Sequence, residues 1–226
     1  MLSEDKKMVK DDYGKCAFLY DFLSKNERKS IERMVNYLNI QKNELVLDVG
    51  CGTGNFLKPL LEKEAGFVVG LDLSPAMLYE ARKKLSGYRT NLVRGDAFKL
   101  PFKDGKFDVL VCINLMDSFQ LSEHRKLCPE FFRVLKPNGK IGVINFTNGR
   151  NIFSGFFTQF YNSLQSTPFY RHFFDLPLIG WFSPLRELRA IDTKVCLKDF
   201  FNVKLEDYVE SPRVIHPSEI LAGVKI

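Results

Sequence analysis

Carboxylates stand at the ends of three predicted strands. Asp48 lies in the apolar run 45–49, Asp72 closes the run 68–72, and Asp96 closes the third strand. Short branched apolar runs that stop at glycine or aspartate indicate buried parallel strands. The carboxyl ends of such strands meet at one edge of a sheet, where three acidic groups would repel a pyrophosphate and attract a cationic ligand.

A glycine-rich turn follows the first of these strands. Gly50, Gly52 and Gly54 let the backbone turn tightly and approach a ligand closely, because no Cβ atom stands in the way. Residues 56–64 are predicted to form the helix after the turn. The N-terminal amide groups of that helix would point at the bound ligand.

The spacing of the glycines separates two classes of nucleotide ligand. A dinucleotide site needs its third glycine where Asn55 stands, and the chain has no Gly-Lys-Ser/Thr sequence for a triphosphate. The pattern therefore disfavours a nicotinamide-dependent oxidoreductase. S-adenosylmethionine carries a sulfonium, an ammonium, a ribose and an adenine, so it suits the acidic strand ends better.

Five sequence motifs occur in order between about residues 40 and 146. They are Leu47-Asp48-Val49-Gly50-Cys51-Gly52-Thr53-Gly54, Gly70-Leu71-Asp72-Leu73-Ser74-Pro75-Ala76-Met77, Gly95-Asp96-Ala97, Leu100-Pro101-Phe102 with Phe107-Asp108, and Leu135-Lys136-Pro137-Asn138-Gly139 with Gly142. In composition and spacing they resemble the class I S-adenosylmethionine-dependent methyltransferases, most closely the type 11-like branch that acts on quinones and other small molecules. The resemblance implies methyl transfer to a small, lipophilic acceptor, such as a quinone or a lipid head group.

The resemblance also implies roles for individual residues. Asp72 would accept hydrogen bonds from the ribose hydroxyls. Its spacing of about twenty residues from the glycine turn indicates the same role. Asp96 would accept a hydrogen bond from the adenine amino group, and the backbone of Asn114 would contact the methionine moiety. The predicted cofactor-binding residues are Asp48, Gly50, Cys51, Gly52, Gly54, Asp72, Leu73, Met77, Asp96, Ala97 and Asn114. Asp72 as a solvated strand-end carboxylate and Asp96 as a turn residue remain the simpler alternatives.

Two helices are predicted between the strands. One begins at the Ser74-Pro75 cap and runs to about Leu85. The other covers residues 122–135, with Ser122 as its cap and an exposed His124 in its first turn. Helices that alternate with strands in this way are typical of a doubly wound sheet.

Four further strands complete the prediction. Residues 107–113 and, after Pro137-Asn138-Gly139, residues 140–146 are expected to be parallel strands. Residues 201–209 and 218–226 resemble the closing antiparallel pair of the methyltransferase sheet. The predicted fold class is therefore α/β: a Rossmann-like doubly wound sheet, mostly parallel, with a C-terminal antiparallel hairpin.

One domain is predicted over residues 1–226, with an N-terminal helical segment at 1–40. Residues 151–190 contain eleven aromatic residues against five charged ones. In the resembling family this segment lies over the acceptor, where aromatic side chains would exclude water and hold a flat or apolar molecule. Contact with a membrane surface, or a second small core, would explain the same composition.

The predicted mechanism is direct displacement at the cofactor's methyl group. The protein must mainly align the reactants and exclude water, and a base is needed only for a hydroxyl or acidic-carbon acceptor. Asp117 and His172 are candidates for that base, with a helix cap and a buried structural histidine as the respective alternatives. The sequence 114–117 lacks the Asn/Asp-Pro-Pro-aromatic pattern of enzymes that methylate adenine or glutamine nitrogens.

Composition limits the partners. A net charge of +6 and a pI near 9.0 would suit nucleic acid, an anionic lipid surface or simply a basic exterior. Nucleic acid is disfavoured because no basic stripe with interleaved aromatic residues occurs. The five cysteines lack metal-ligand spacing, so no metal is predicted, and without a signal peptide a cytoplasmic location is expected. Peripheral membrane contact, the oligomeric state and a non-catalytic lipid- or protein-binding module remain open.

Overall fold

The computed structural model describes residues 28–62, 66–116, 119, 121–146, 193–209 and 218–226. Within these residues seven strands form one sheet: β1 Leu45–Val49, β2 Phe67–Asp72, β3 Thr90–Arg94, β4 Phe107–Ile113, β5 Leu135–Phe146, β6 Phe201–Val209 and β7 Ser218–Lys225. Their order across the sheet is β3-β2-β1-β4-β5-β7-β6. The order reverses between β1 and β4, the position at which open α/β sheets bind their ligands.

The described helices cover both faces of the sheet. They are α1 Arg28–Leu38, α2 Leu57–Glu62, α3 Pro75–Lys84, α4 Leu121–Val134 and α5 Thr193–Lys198. Apolar side chains of α1, α2 and α3 form one core with Val46 and Val109, and those of α4 and α5 form another with Leu47 and Leu110. A central strand that is buried on both faces explains the continuous apolar run of β1.

The pairing of the strands confirms the predicted fold class. Leu47 on β1 lies opposite Val69 on β2 and Leu110 on β4, in parallel register. At the other side of the sheet, β7 is antiparallel to both β5 and β6. The sheet is thus mostly parallel, with the antiparallel C-terminal pair that the sequence predicts.

The helix after β2 begins as predicted. Ser74 is its N-cap, with its Oγ accepting the Met77 N–H over 3.4 Å, and Pro75 occupies the first turn. A serine that accepts an otherwise unpaired amide and a proline that needs no partner are the favoured residues there. The helix therefore starts directly beside Asp72, at the edge of the sheet that carries the acidic groups.

Two predicted strand boundaries are wrong. β3 ends at Arg94, so Asp96 lies beyond the strand and does not close it. β5 begins at Leu135 and includes Pro137-Asn138-Gly139 as an irregularity, because Phe107 pairs with Leu135 but Val109 pairs with Lys140. A proline without an N–H and Asn138 at φ +60° favour such a bulge within the strand.

His124 is buried, which contradicts the expected exposed position. The side chain has 0% exposure, and its Nε2 lies 2.7 Å from the carbonyl oxygen of Met116. Helix α4 begins at Leu121, so Ser122 is inside the first turn and does not precede the helix. His124 thereby ties α4 to the segment that leaves β4, and burial lowers its pKa.

Several predictions fall on residues outside the described ranges. These are the part of the N-terminal segment before residue 28, the aromatic segment 151–190, Asp117 and His172. In the ranges that the structure does describe, no helix is long and apolar enough to cross a membrane. The cytoplasmic location stays a prediction.

Candidate functional site

The glycine turn connects β1 to α2 in a conformation that depends on its glycines. Gly50, Gly52 and Gly54 have φ values of +78°, +54° and +79°. L-residues with side chains rarely adopt such values, so glycine is the default residue at these positions. A Cβ on Gly54 would also lie 2.9 Å from Cδ1 of Leu85, at the end of α3. Glycine at position 54 therefore lets the turn pack closely against the end of α3.

Asp72 fastens this turn to the end of β2. One carboxylate oxygen accepts the Gly52 N–H over 2.9 Å, and the other accepts the Ser74 N–H over 2.8 Å. Burial raises the pKa of Asp72, while these backbone hydrogen bonds act in the opposite direction. The carboxylate thus shapes the turn, and its remaining lone pairs are available for the hydroxyl groups of a ligand.

Asp48 is the most deeply buried acid of the site. It is 1% exposed, and neither carboxylate oxygen has a hydrogen-bond partner among the described residues. Burial and then the negative charge of Asp72 raise its pKa to about 8. A buried polar group without a partner costs about 1–3 kcal/mol, so the arrangement favours a ligand that supplies donors or positive charge.

Asp96 and Ala97 lie in the turn that follows β3. Oδ1 of Asp96 accepts the Phe98 N–H over 3.0 Å, and its carbonyl oxygen accepts the Lys99 N–H over 3.0 Å. Ala97 is buried. The local hydrogen bonds correspond to the simpler alternative, a turn aspartate, and the adenine role of Asp96 stays a prediction.

Asn114 brings the end of β4 to the glycine turn. Its φ is +51°, and its N–H donates to the carbonyl oxygen of Ile144 over 2.8 Å. The next residue, Leu115, lies close enough that a Cβ on Gly50 would be 3.0 Å from its Cδ1. The residue that follows β4 therefore lies beside the glycine turn, and the contact of Asn114 with the methionine moiety stays a prediction.

Three other predicted cofactor contacts lie around the same turn with different exposures. Cys51 and Met77 are buried, and Leu73 is half-buried. The Cys51 N–H donates to Leu71 O over 3.0 Å, and burial raises the pKa of its thiol. Cys51 and Met77 thus contribute apolar surface and backbone geometry, and not reactive groups.

Two features of the site have no signal in the sequence. Lys84, at the end of α3, donates from Nζ to Thr53 Oγ1 over 3.2 Å and also to Oδ1 of Asn55. Phe98 and Phe119 pack edge to face, with ring centroids 4.9 Å apart. These residues are separated by about twenty to thirty positions in the chain, so only the folded sheet brings them together.

The acidic groups of the site fit S-adenosylmethionine better than an anionic nucleotide. Three positive-φ glycines form the turn, and of the two nearest acids Asp48 is buried and Asp72 is half-buried. A phosphate would meet two carboxylates, whereas a ligand with an ammonium and a sulfonium would meet the opposite charge. No cluster of metal-ligating side chains occurs in the described part of the chain.

The sequence is similar to a known protein family and to curated methyltransferases. Residues 46–139 match the family model described as a methyltransferase domain. The demethylmenaquinone methyltransferase of Oceanobacillus iheyensis is 33% identical over 139 residues, which cover 58% of this chain and 57% of that protein. The ubiquinone/menaquinone biosynthesis C-methyltransferase UbiE of Wigglesworthia glossinidia brevipalpis is 29% identical over 156 residues, covering 64% of this chain and 62% of that protein.

A solved structure has the same fold. Magnesium protoporphyrin IX methyltransferase (ChlM) from Synechocystis PCC 6803 with bound SAH gives a TM-score of 0.72 at 18% identity, covering 98% of this chain and 100% of that one. The chain spans less than two thirds of the length of the curated relatives, at 57% and 62%. The family match includes the strands and turn that carry Asp48 and Asp72, and it confirms the resemblance found in the motifs.

Proposed function

We propose that this chain, which carries a class I S-adenosylmethionine-dependent methyltransferase domain, transfers a methyl group from S-adenosylmethionine to a small, lipophilic acceptor of the quinone type. The observation that carries this proposal is the pair of neighbouring acids, buried Asp48 and half-buried Asp72, beside a turn with three positive-φ glycines. Such a pair suits a cationic adenosine compound and disfavours phosphate-bearing cofactors.

The acceptor class is supported by the names of the relatives and by the surroundings of the site. Both curated relatives described above are named for quinone methylation. Beyond β3 and β4, the aromatic pair Phe98–Phe119 and Leu115 are partly buried apolar side chains that pack against the core. Flat, apolar molecules gain most from such surfaces, because aromatic side chains bury a large area and exclude water. We assign the aromatic segment 151–190 to the cover over the acceptor.

The chain's own groups bind, orient and exclude water. S-adenosylmethionine, when bound, supplies an electrophilic methyl carbon on its sulfonium. Asp72 would hold the ribose while it keeps Gly52 in place, and Asp48 would face the positive charge of the ligand. The glycine turn and Asn114 would fix the methionine moiety through their backbones. Alignment of two reactants in this way supplies roughly 7–11 kcal/mol of rate enhancement.

A carbon or hydroxyl acceptor also needs a group that removes its proton. Asp117 and His172 are the proposed candidates, because in the sequence the first follows β4 and the second lies in the aromatic segment. Separate Asp117→Asn and His172→Asn variants test them. Replacement of the residue that acts as the base should lower kcat at neutral pH, change the pH profile of kcat and leave the dissociation constant for S-adenosylmethionine unchanged. Replacement of a residue with a merely structural role would not alter the pH profile of kcat.

The deciding experiment uses methyl-labelled S-adenosylmethionine. The full chain is incubated with the cofactor and separately with demethylmenaquinone, a total lipid extract, RNA and protein. We expect label in a quinone or lipid product and its loss in the Asp72→Asn variant. Label in RNA or protein alone would overturn the small-molecule acceptor, and absence of cofactor binding would overturn the methyltransferase proposal itself.

A further inference from the structure

We infer that S-adenosylmethionine displaces a proton from Asp48 when it binds, so that the acid is neutral in the cofactor-free protein and ionised beside the ligand. The inference rests on the proposed function and adds a regulation to the same site: cofactor affinity depends on pH through one buried carboxyl group. The proton leaves to the solvent, and the positive charge of the ligand takes its place.

The geometry disfavours an ionised Asp48 in the cofactor-free protein. The side chain is 1% exposed and lies on β1, where Gly70 of β2 and Val111 of β4 are its strand neighbours. Neither of its oxygens has a hydrogen-bond partner among the described residues. A buried carboxylate that has neither donors nor a counter-charge among the described residues is strongly disfavoured, so such a group keeps its proton.

The neighbouring acid strengthens this effect. Asp72 already accepts two backbone N–H groups, from Gly52 and Ser74, and these bonds stabilise its anion. The pair therefore has one set of donors for two carboxyl groups. Two nearby carboxyls in a buried site do not both ionise readily, and the one without donors, Asp48, is the one that holds the proton.

The other charged groups around Asp48 do not compensate. The thiol of Cys51 in the turn interacts electrostatically with both acids, and burial disfavours its anion. Lys84 from α3 donates instead to Thr53 and Asn55. The described charged side chains of α1 (Lys29, Glu32 and Arg33) and Lys58 of α2 are exposed, and on α3 Glu80 pairs with Lys83 while Arg82 is exposed. β4 presents Val111 beside Asp48, and Asp108 at its other end pairs with Lys136.

Calorimetry of the full chain measures the proton directly. S-adenosylmethionine is titrated into wild type and Asp48→Asn in phosphate and in Tris buffer at pH 7, and the difference in heat between buffers gives the protons released. The wild type should release close to one proton more than the variant, and its affinity should rise nearly tenfold per pH unit below pH 8 relative to the variant. The ammonium of the ligand also titrates, but it contributes equally to both proteins.

Infrared spectroscopy keeps the test independent of the variant's affinity. In wild type at pH 7, a protonated carboxylic acid band should disappear on addition of S-adenosylmethionine, and the Asp48→Asn protein should lack that band before addition. Cofactor binding with equal proton release in both proteins and no loss of the band would overturn the proton displacement and leave the methyltransferase proposal intact. Failure of the wild type to bind the cofactor would instead overturn the proposed function.

Discussion

Asp48 and Asp72 are neighbouring carboxyl groups with different surroundings, the first buried and the second half-buried. Asp72 accepts the N–H groups of Gly52 and Ser74. Asp48 has no hydrogen-bond partner among the residues that the structure describes. Because Asp72 has both of these donors and Asp48 has none, Asp72 can shape the turn before the cofactor binds, whereas Asp48 gains its partner from the ligand.

Replacement of Asp72 by asparagine tests the first of these roles. The amide NH2 of Asp72→Asn would face one of the two backbone N–H groups, so one hydrogen bond is lost and two donors oppose each other. We expect S-adenosylmethionine to bind about 1–3 kcal/mol more weakly, roughly 5- to 150-fold, as measured by calorimetry. Asp199→Asn, at an exposed position, is the matched control and should bind normally. Equal affinities of the two variants would remove Asp72 from the site.

The glycine turn is held by the elements on both of its sides. The N–H groups of Gly50 and Cys51 donate to Leu71 O on β2, at 2.8 and 3.0 Å. From the other side, Lys84 at the end of α3 donates to Thr53 in the turn. A turn fixed in this way is preorganised, so less conformational freedom is lost when the cofactor binds.

The contribution of α3 can be measured by removing the ammonium of Lys84. In Lys84→Met the apolar stem remains and the hydrogen bonds to Thr53 and Asn55 are lost, at about 0.5–1.5 kcal/mol each. Because only part of this loss of turn stability is carried into binding, we expect a roughly threefold to tenfold weaker affinity for S-adenosylmethionine, with kcat nearly unchanged. Lys83→Met is the control, because Lys83 is exposed, where it pairs with Glu80 at 3.0 Å and lies over the ring of Tyr79. If both variants bind as the wild type does, α3 does not position the turn.

The sequence predicts those features of the fold that depend on local patterns. The apolar run of β1, the Ser74-Pro75 cap and the positive-φ glycines are each specified by a few adjacent residues. The burial of His124 and the contacts of Lys84 depend on residues that only the folded chain brings together. The sequence predicts that β5 begins after Pro137-Asn138-Gly139, because these residue types favour turns. The pairing of β5 with β4 places the three residues in a bulge within the strand instead.

At the scale of the molecule, the described acidic groups affect stability in two opposite ways. Burial raises the pKa of Asp48 and Asp72. Glu130 has a lowered pKa because Arg133 donates to it. At Asp108 burial raises the pKa, but the hydrogen bonds from Lys136 and the Leu45 N–H, with the positive charges of Lys136 and Lys140, together lower it. Glu130 and Asp108 stabilise the protein above the pKa of an unfolded carboxyl, and this effect is lost on acidification. Asp48 and Asp72 instead destabilise the protein as the pH rises.

The stability of the cofactor-free protein should therefore fall between pH 6 and pH 8. Asp48 has a pKa of about 8 in the folded protein and an ordinary value of 3.8, so in this range the folded protein keeps a proton that the unfolded chain has released. Raising the pH then lowers the free energy of unfolding by up to about 1.4 kcal/mol per unit, and the loss ends above pH 8. Burial lowers the pKa of His124, which opposes this trend below about pH 6.5 in wild type and in Asp48→Asn alike. Urea denaturation of both proteins should show their difference in stability widening in favour of Asp48→Asn as the pH rises. Parallel curves would mean that Asp48 is already ionised in the folded, cofactor-free protein.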